Sequence, residues 1–390
     1  MLSAAPHQLL ITIVHGTWPD GIFRTLLGRK QRMYWFDDGS HFVTRLSAEL
    51  AGIPHRIKSF SWRGENSVFK RDDAAYRLAE HLSAEHNAHP RAIQLVVAHS
   101  HGGNIALRAL HYMQKRGGTM VDDEEIVTPL VVTLATPFIE IHQADLGQRS
   151  ALVRVAVITA ILTPWSIFAG PILTSAFEHP SWSTLLVWAA VSFPVVILGI
   201  IWWHWVFKNS DARQKQIEEL REATRISEAI SAERLLVIRA VDDEAYLVIA
   251  LGTIFTYIFA TSIVFFIAAL SVVPFFAEPV PLILHLLHRS ASDPSWYRHA
   301  FQLGCSALII ALFGALIVSR LVHGRELARS PMDCQINTQS APDGTGIKIV
   351  TLVSDKYVKW FGRHGIYERD NCAKAISDWI QTQLGARRNL

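Results

Sequence analysis

The chain has 390 residues, of which 50% are hydrophobic and 18% are charged, whereas a soluble domain averages about 25% charged residues. This apolar content excludes a disordered chain, and only three, widely spaced cysteines exclude a small disulfide-stapled domain. The net charge of +3, without a basic run, gives no reason to expect a nucleic-acid partner.

Short apolar strands and helical stretches alternate along the polar part of the chain. The predicted strands are, in chain order, 9–14, 56–60, 93–98, 130–134, 235–240 and 347–352. The predicted helices are 41–50, 72–86, 103–115, 210–231 and 369–384. This alternation predicts an α/β fold with a mostly parallel sheet and helices on both faces. Because the strands are nearly all apolar, each is expected to be covered on both faces.

Four stretches between these elements lack Asp, Glu, Lys and Arg over roughly 19 residues or more, about the length of helix that spans a hydrocarbon core. They are 155–177, 185–207, 247–276 and 301–319. We expect two transmembrane helical hairpins, one inserted between the fourth and fifth predicted strands and the other between the fifth and sixth. The alternatives are a hydrophobic cap that stays in solution and hairpins that lie in a single leaflet.

Basic residues flank the two hairpins on one side. The connection 178–183 within the first hairpin contains no Lys or Arg, whereas Arg149 and Lys208 flank that hairpin and Arg320 follows the second. By the positive-inside bias, the polar part of the chain is expected in the cytoplasm. The expected division is 1–150 and 208–246 in the α/β domain, 151–207 and 247–322 as the hairpins, and 323–390 as the last part of that domain.

The segment VAHSHGGN at 97–104 directly follows a predicted strand and precedes a predicted helix. A serine on such a tight turn is strained and exposes its hydroxyl, and small residues two positions before and after it let strand and helix approach. Ser100, between Ala98 and Gly102, is therefore the candidate nucleophile. A small-residue turn without a catalytic role is the alternative. The neighbouring His99 and His101 are interpreted as shaping the site rather than as the base.

A second candidate segment, HGTW, ends the first predicted strand. Gly16 allows the backbone to come close to a substrate, and the N–H of Thr17 is then placed to point into a pocket. Together with the N–H of His101, it would supply two donors to a tetrahedral oxyanion. His15 and Trp18 are candidate pocket residues beside this loop.

The segment WRGENS at 62–67 follows another predicted strand. Trp62 and Asn66 are candidates for contacts near the pocket. A capping turn for the helix that follows is the equal alternative.

A catalytic triad on such a sheet needs an acid and then a histidine later in the chain. Asp242, Asp243 and Glu244 follow the fifth predicted strand. His364 lies in a loop after the last predicted strand and before the closing helix. It is the candidate base, with a structural histidine as the alternative.

Six segments resemble the α/β-hydrolases, in particular the lipase and serine-esterase-like branch that includes bacterial membrane-associated members. They are IVHGTW at 13–18, FSWRGENS at 60–67, VAHSHGGN at 97–104, LATPF at 134–138, VIRAVDDEA at 237–245 and HGIY at 364–367. The resemblance implies that Ser100 is the nucleophile and His364 the base. The family's acid falls on Asp243, and because Asp242 replaces the family's glycine, Asp242 remains the alternative.

These residues predict a serine hydrolase that cleaves an ester through an acyl-enzyme, with the bilayer and a membrane lipid or long-chain acyl ester as its partners. No cofactor and no metal is expected, since no ligand spacing or phosphate loop is present. The expected location is the inner membrane of a bacterium, with the hydrolase domain cytoplasmic. A membrane acyltransferase or thioesterase with the same triad is one alternative, and a non-catalytic scaffold is another. No oligomeric state is predicted.

Overall fold

A computed structural model describes most of the polar part of the chain. The described residues are 8–19, 33–117, 128–143, 210–225, 231–240, 310, 314, 317–318, 320–321, 324, 326, 334–342, 347–353 and 365–388. The hydrophobic stretches 155–177, 185–207 and 247–276 lie outside them, and of 301–319 only four residues are described, all helical. Within the described residues, no helix combines the length and the apolar character needed to cross a membrane.

Eight strands and five α-helices make up the described fold. The strands are β1 Leu9–Val14, β2 His55–Phe60, β3 Ile93–His99, β4 Leu130–Leu134, β5 Phe138–Gln143, β6 Leu235–Ala240, β7 Cys334–Gln339 and β8 Lys348–Leu352. The helices are α1 His41–Glu49, α2 Val68–Ala88, α3 His101–Gly117, α4 Ser210–Thr224 and α5 Asp370–Arg388. Single 3-10 turns precede β6 at Ala232–Arg234 and α5 at Ile366–Glu368.

Six strands form one parallel sheet in the order β2-β1-β3-β4-β6-β8. The α/β class and the parallel sheet predicted from the sequence are therefore confirmed. Since all six strands run the same way, their carboxyl ends lie at one edge of the sheet. At that edge Val14 of β1 is in register with Ala98 of β3.

The sheet is buried because its side chains alternate between two hydrophobic cores. Leu95 and Val97 of β3 pack on the face covered by α1 and α5, whereas Val96 and Ala98 pack on the face covered by α2 and α3. Trp379 of α5 is among the largest fully buried side chains. Helices on both faces, as predicted, thus remove the central strands from water.

The expectation that every strand is covered on both faces is wrong for the two edge strands. β2 exposes Arg56 and Ser59, and Ile349 of β8 is 42% exposed. An edge strand has a neighbouring strand on one side only, so part of its surface stays in contact with solvent. Every residue of the central strand β3, by contrast, is buried.

A second, two-stranded antiparallel sheet pairs β5 with β7, and the sequence did not predict it. Ile139 and Ile141 of β5 pack with Ile217 and Leu220 of α4 in a third, smaller apolar cluster. Val68, the first residue of α2, belongs to the same cluster. The small sheet therefore joins α4 and the later part of the chain to the start of α2.

Gly102→Ala is expected to destabilise the fold. A Cβ at Gly102 would lie 2.6 Å from the carbonyl oxygen of Val14 and 2.7 Å from that of His15, and both belong to backbone that cannot turn away. Overpacking of this kind costs about 1–3 kcal/mol. The free energy of unfolding in urea measures the effect.

Gly385→Ala in α5 is the matched control, since a Cβ there meets nothing within 4 Å. Replacing a helical glycine in open space stabilises by about 0.5–1 kcal/mol. An equal effect of the two substitutions would contradict the proposed contact.

Candidate active site

Ser100 lies at the carboxyl edge of the sheet, in the turn between β3 and α3. Its backbone has a φ of +53°, which costs a residue with a side chain about 1–2 kcal/mol. Two hydrogen bonds hold this conformation. The Ser100 N–H donates to the carbonyl of Leu134 at 2.8 Å, and the N–H of Gly103 donates to the Ser100 carbonyl at 2.9 Å. The strand, tight turn and helix predicted around Ser100 are thus present.

Positive φ angles concentrate at this edge of the sheet. Among the described residues, the non-glycine residues with positive φ are Trp18, Ser100 and Ala135, which follow β1, β3 and β4. Strained backbone persists only where the surrounding structure enforces it, and it clusters at active and ligand-binding sites. The strain therefore marks this edge as the candidate functional site.

Gly16, in the loop after β1, packs directly against Ser100. A Cβ at Gly16 would lie 2.7 Å from the Cβ of Ser100 and 3.2 Å from its Oγ. It would also lie 3.0 Å from the carbonyl oxygen of His99. Any side chain at this position would displace the serine, so the close approach requires glycine.

His15 is a buried histidine whose ring lies between two aromatic side chains. Its ring stacks on Phe36, with centroids 4.7 Å apart, and on Trp62, with centroids 5.5 Å apart. Burial lowers the pKa of His15, although hydrogen bonds to the carbonyls of Gly16 and Trp62 oppose the shift. The imidazole is therefore neutral near pH 7.

The neutral His15 ring orients the peptide group that joins Gly16 to Thr17. Nδ1 lies 2.8 Å from the Gly16 carbonyl oxygen, and Nε2 lies 3.1 Å from the Trp62 carbonyl oxygen and 3.5 Å from the Trp62 N–H. A neutral ring donates from one nitrogen only, and the shorter contact favours Nδ1 as the donor, with Nε2 accepting from the Trp62 N–H. In a trans peptide the carbonyl and the following N–H point in opposite directions. The N–H of Thr17 therefore points away from the His15 ring.

The loop 61–67 holds the other side of the Gly16 loop. The N–H of Trp18 donates to the carbonyl of Gly64 at 2.9 Å, and Nε1 of Trp62 donates to the carbonyl of His15 at 2.8 Å. The Trp18 N–H is therefore engaged by Gly64, and Thr17 remains the candidate oxyanion donor of this loop.

His101, the second candidate donor, is the first residue of α3, so its N–H lies at the positive end of the helix dipole. Its ring Nδ1 lies 3.3 Å from Nδ2 of Asn104.

His99 contacts a segment from the far end of the chain. The ring of Tyr367 lies edge-on to that of His99, with centroids 4.9 Å apart, and stacks on Trp35 at 4.5 Å. Trp35 itself packs edge-on against His99 at 5.6 Å. The described segment 365–367 thus lies beside the last residue of β3, and His364 is the residue that precedes it. Burial raises the pKa of the Tyr367 phenol above its ordinary value.

Asp242, Asp243 and His364 lie outside the described residues, so their convergence with Ser100 stays a prediction. The strand that precedes Asp242 and Asp243 is described. β6, which ends at Ala240, is the second strand from β3 at the same edge of the sheet.

Asn66 uses its side chain away from Ser100, in contacts that the sequence did not predict. Its Nδ2 donates to the carbonyl of Leu321 at 2.6 Å, and its Oδ1 accepts from Arg71 at 2.9 Å. Ser67 caps α2, since its Oγ accepts from the N–H of Lys70 at 3.2 Å. The capping role considered for 62–67 is therefore present at Ser67, while Trp62 lies beside the site.

Sequence reasoning missed Gly64, Trp35, Phe36 and Tyr367 as parts of the site. Tyr34, Trp35 and Phe36 are three consecutive aromatic residues, a signal that was available before the structure. Nothing local marks Gly64 as the acceptor for Trp18.

Over the described part of the chain, no group of three or more His, Cys, Asp or Glu side chains is arranged to hold a metal ion.

No model of a known protein family matches this chain, and no curated protein is detectably similar to it. The class of protein therefore rests on the geometry of the chain itself.

The free energy of unfolding is expected to fall as the pH drops below about 6.5. Burial lowers the pKa of His15, His81 and His111, so the unfolded chain takes up protons that the folded chain resists. Each histidine contributes at most about 1.4 kcal/mol per pH unit below that value. Urea unfolding between pH 7.5 and about 5.5, above the range in which ordinary carboxylates titrate, measures the slope.

His15→Asn isolates the contribution of His15 to the pH dependence of the free energy of unfolding. The asparagine amide keeps a donor for the Gly16 carbonyl and does not titrate. The variant is expected to be less stable at every pH but to show a shallower slope. A slope equal to that of the unmodified protein would contradict the neutral, buried state of His15.

Proposed function

We propose that this protein is a membrane-associated serine hydrolase of the α/β-hydrolase type, with Ser100 as its nucleophile. One observation carries the proposal. Ser100 has a positive φ between a buried parallel strand and a helix, and the Gly16 loop lies against its side chain. This is the geometry in which a nucleophilic hydroxyl projects from the turn beside backbone N–H donors.

The proposed reaction is acyl transfer to water. His364 takes the proton of the Ser100 hydroxyl as Oγ attacks the ester carbonyl, and Asp243 orients and stabilises the resulting imidazolium. The N–H groups of Thr17 and His101 stabilise the oxyanion, an effect of about 10²–10³ in rate for each donor. The imidazolium then protonates the leaving alcohol. Water, activated by the same histidine, cleaves the acyl-enzyme and restores Ser100.

Two features of the chain path support this set of residues. The segment that follows His364 packs on His99, next to Ser100. The strand that leads to Asp242 and Asp243 ends at the same edge of the sheet, with only β4 between it and β3. Strands about 4.8 Å apart then put the acid's strand about 10 Å from the nucleophile's, a gap that a histidine placed between them can bridge.

The proposed substrate is a membrane lipid or another long-chain acyl ester. Half-buried Tyr34 and Trp35, with buried Phe36, form an aromatic wall beside His15 and His99, which suits an apolar acyl chain. The charge-free stretches within 151–207 and 247–322, proposed as spanning hairpins, would hold the site at the cytoplasmic face of the bilayer.

Ser100→Ala is expected to abolish ester hydrolysis and covalent labelling by a fluorophosphonate probe. The loss should exceed about 10³-fold, because the variant lacks the nucleophile while keeping the oxyanion donors. Gel-based labelling and a chromogenic ester assay measure both effects. Unchanged labelling would overturn the assignment, and labelling of neither protein would favour a scaffold without activity.

Asp243→Asn and Asp242→Asn form a matched pair within this test. If Asp243 is the acid, its substitution should lower kcat about 10⁴-fold, whereas Asp242→Asn should leave most activity. The reverse result would move the acid to Asp242.

Activity on long-chain esters in bilayers is expected to exceed activity on short soluble esters. The reason is that the proposed site takes its acyl chain from the membrane. Hydrolysis rates on vesicle lipids and on a soluble acetate ester compare the two activities. A clear preference for the acetate would contradict a lipid substrate.

Two further measurements address the alternatives. Rates with an added alcohol or a thioester test acyltransferase and thioesterase activity. Carbonate extraction of membranes tests whether the hydrophobic stretches anchor the protein, since a soluble cap would be washed off.

A further inference from the structure

Glu326, seven residues after the fourth hydrophobic stretch, binds the amino end of α2. Its Oε1 accepts a hydrogen bond from Oγ of Ser67 at 2.7 Å, and its Oε2 accepts from the N–H of Val68 at 3.1 Å. Negative charge is favourable at this end of a helix. The side chain therefore clamps the junction between loop 61–67 and α2.

Arg71, one turn further along α2, strengthens the need for this carboxylate. The guanidinium is buried, and its only hydrogen bond to a described side chain is the one that its Nη1 donates to Asn66. Burial lowers the pKa of Arg71 to about 10, and the charge of Glu326 opposes that shift. A buried cation without a nearby opposite charge is costly, so Arg71 favours Glu326 in its observed position.

Two residues that shortly precede Glu326 in the chain also contact loop 61–67. The carbonyl of Leu321 accepts from Nδ2 of Asn66 at 2.6 Å. Gly324, with a φ of +94°, lies so close that a Cβ there would be 2.8 Å from the Asn66 carbonyl oxygen. Leu321, Gly324 and Glu326 thus hold one end of loop 61–67 at three points.

The other part of loop 61–67 holds the Gly16 loop, through the hydrogen bonds of Gly64 with Trp18 and of Trp62 with His15. Gly16 in turn lies against Ser100. Each step between Glu326 and Ser100 is therefore a hydrogen bond, a direct contact or a short length of backbone.

We propose that Glu326 is a positioning residue for the Ser100 site, acting through loop 61–67 on the peptide group between Gly16 and Thr17. The inference rests on the proposed hydrolase function and extends it. It makes the segment that follows the fourth hydrophobic stretch part of the framework that orients the oxyanion donors.

Loss of the Glu326 carboxylate releases Ser67, Val68 and the adjoining loop. The Thr17 N–H then loses its fixed direction, and misplacement of such a donor by about 1 Å costs roughly 10²-fold in rate. The donor acts on the transition state rather than on the bound ester, so kcat should fall while KM changes little.

The test compares Glu326→Ala, Glu326→Gln and Glu222→Ala in the full-length protein. Glu222→Ala is the matched control, because Glu222 of α4 pairs with the buried Arg108 of α3 at 3.5 Å and its other ion pairs, with His111 and Arg225, also involve no residue of loop 61–67. Glu326→Ala should lower kcat on a chromogenic ester about 10- to 100-fold, with a KM within about threefold of the original value. Glu326→Gln should recover only part of the loss, since its amide can accept from Val68 and donate to Ser67 but leaves the buried Arg71 without this opposite charge.

Hydrogen exchange provides a readout that does not require activity. Amide exchange in a peptide that covers 15–19 should become about 2- to 10-fold faster in Glu326→Ala, as expected when the hydrogen bond from Trp18 to Gly64 opens more often, and should be unchanged in Glu222→Ala. If Glu326→Ala does not fold, Glu326→Asp, which is one methylene shorter, should shift both readouts in the same direction.

The outcomes are distinguishable. Faster exchange in a protein whose unmodified form neither hydrolyses esters nor labels with fluorophosphonate would support the link and overturn the proposed function. Unchanged exchange in the Glu326 variants, whether or not kcat falls, would overturn the positioning role. A loss of kcat of the same size in Glu222→Ala would overturn it as well.

Discussion

The site depends on one steric constraint, which is that two backbone segments meet around Ser100 with no room for a side chain between them. Gly16 approaches Ser100 from the loop after β1, and Gly102 approaches the carbonyls of Val14 and His15 from the start of α3. Both contacts follow from the pairing of β1 with β3 in the parallel sheet. Because the strands are neighbours, the loop after one and the helix after the other share the same small volume. Glycine is the residue that allows this approach.

The strain at Ser100 is maintained by the structure around it. The hydrogen bond from Ser100 to Leu134 ties the turn to β4, and the bond from Gly103 to Ser100 closes the first turn of α3. A positive φ at a residue with a side chain survives when such bonds outweigh its cost. Aromatic packing completes the frame, with His15 between Phe36 and Trp62 and with Trp35 against Tyr367. The serine is therefore held from both neighbouring strands and from the end of the chain.

The part of the chain that carries the hydrophobic stretches is attached to the sheet at defined points. β5 and β7 pair although about 190 residues separate them in sequence, and their apolar side chains pack with α4 and with Val68 of α2. Glu326, which lies between the last hydrophobic stretch and β7, binds the same end of α2. The amino end of α2 is thus where the small sheet, the segment after the last hydrophobic stretch and loop 61–67 come together.

The local features follow from residues that are close together in the chain. Short runs of five or six residues predicted the six strands of the main sheet, with ends within one residue of those observed. The small residues around Ser100 predicted its turn, because strand, turn and helix depend on neighbours in the chain. Helix ends were less well predicted. α2 begins at Val68 rather than Asp72 and α4 ends at Thr224, since caps and tertiary packing decide where a helix stops.

The contacts between distant segments depend on the assembled fold. The strand order, the β5–β7 pair, the bond from Trp18 to Gly64, and the clamp of Glu326 on α2 each join residues with no shared local pattern. Their partners are selected by the geometry of the assembled sheet, which brings the ends of separate strands to one edge. The sequence around Gly64 or Glu326 does not indicate its role. Each forms its hydrogen bond with a segment that is distant in the chain and becomes a neighbour only in the folded protein.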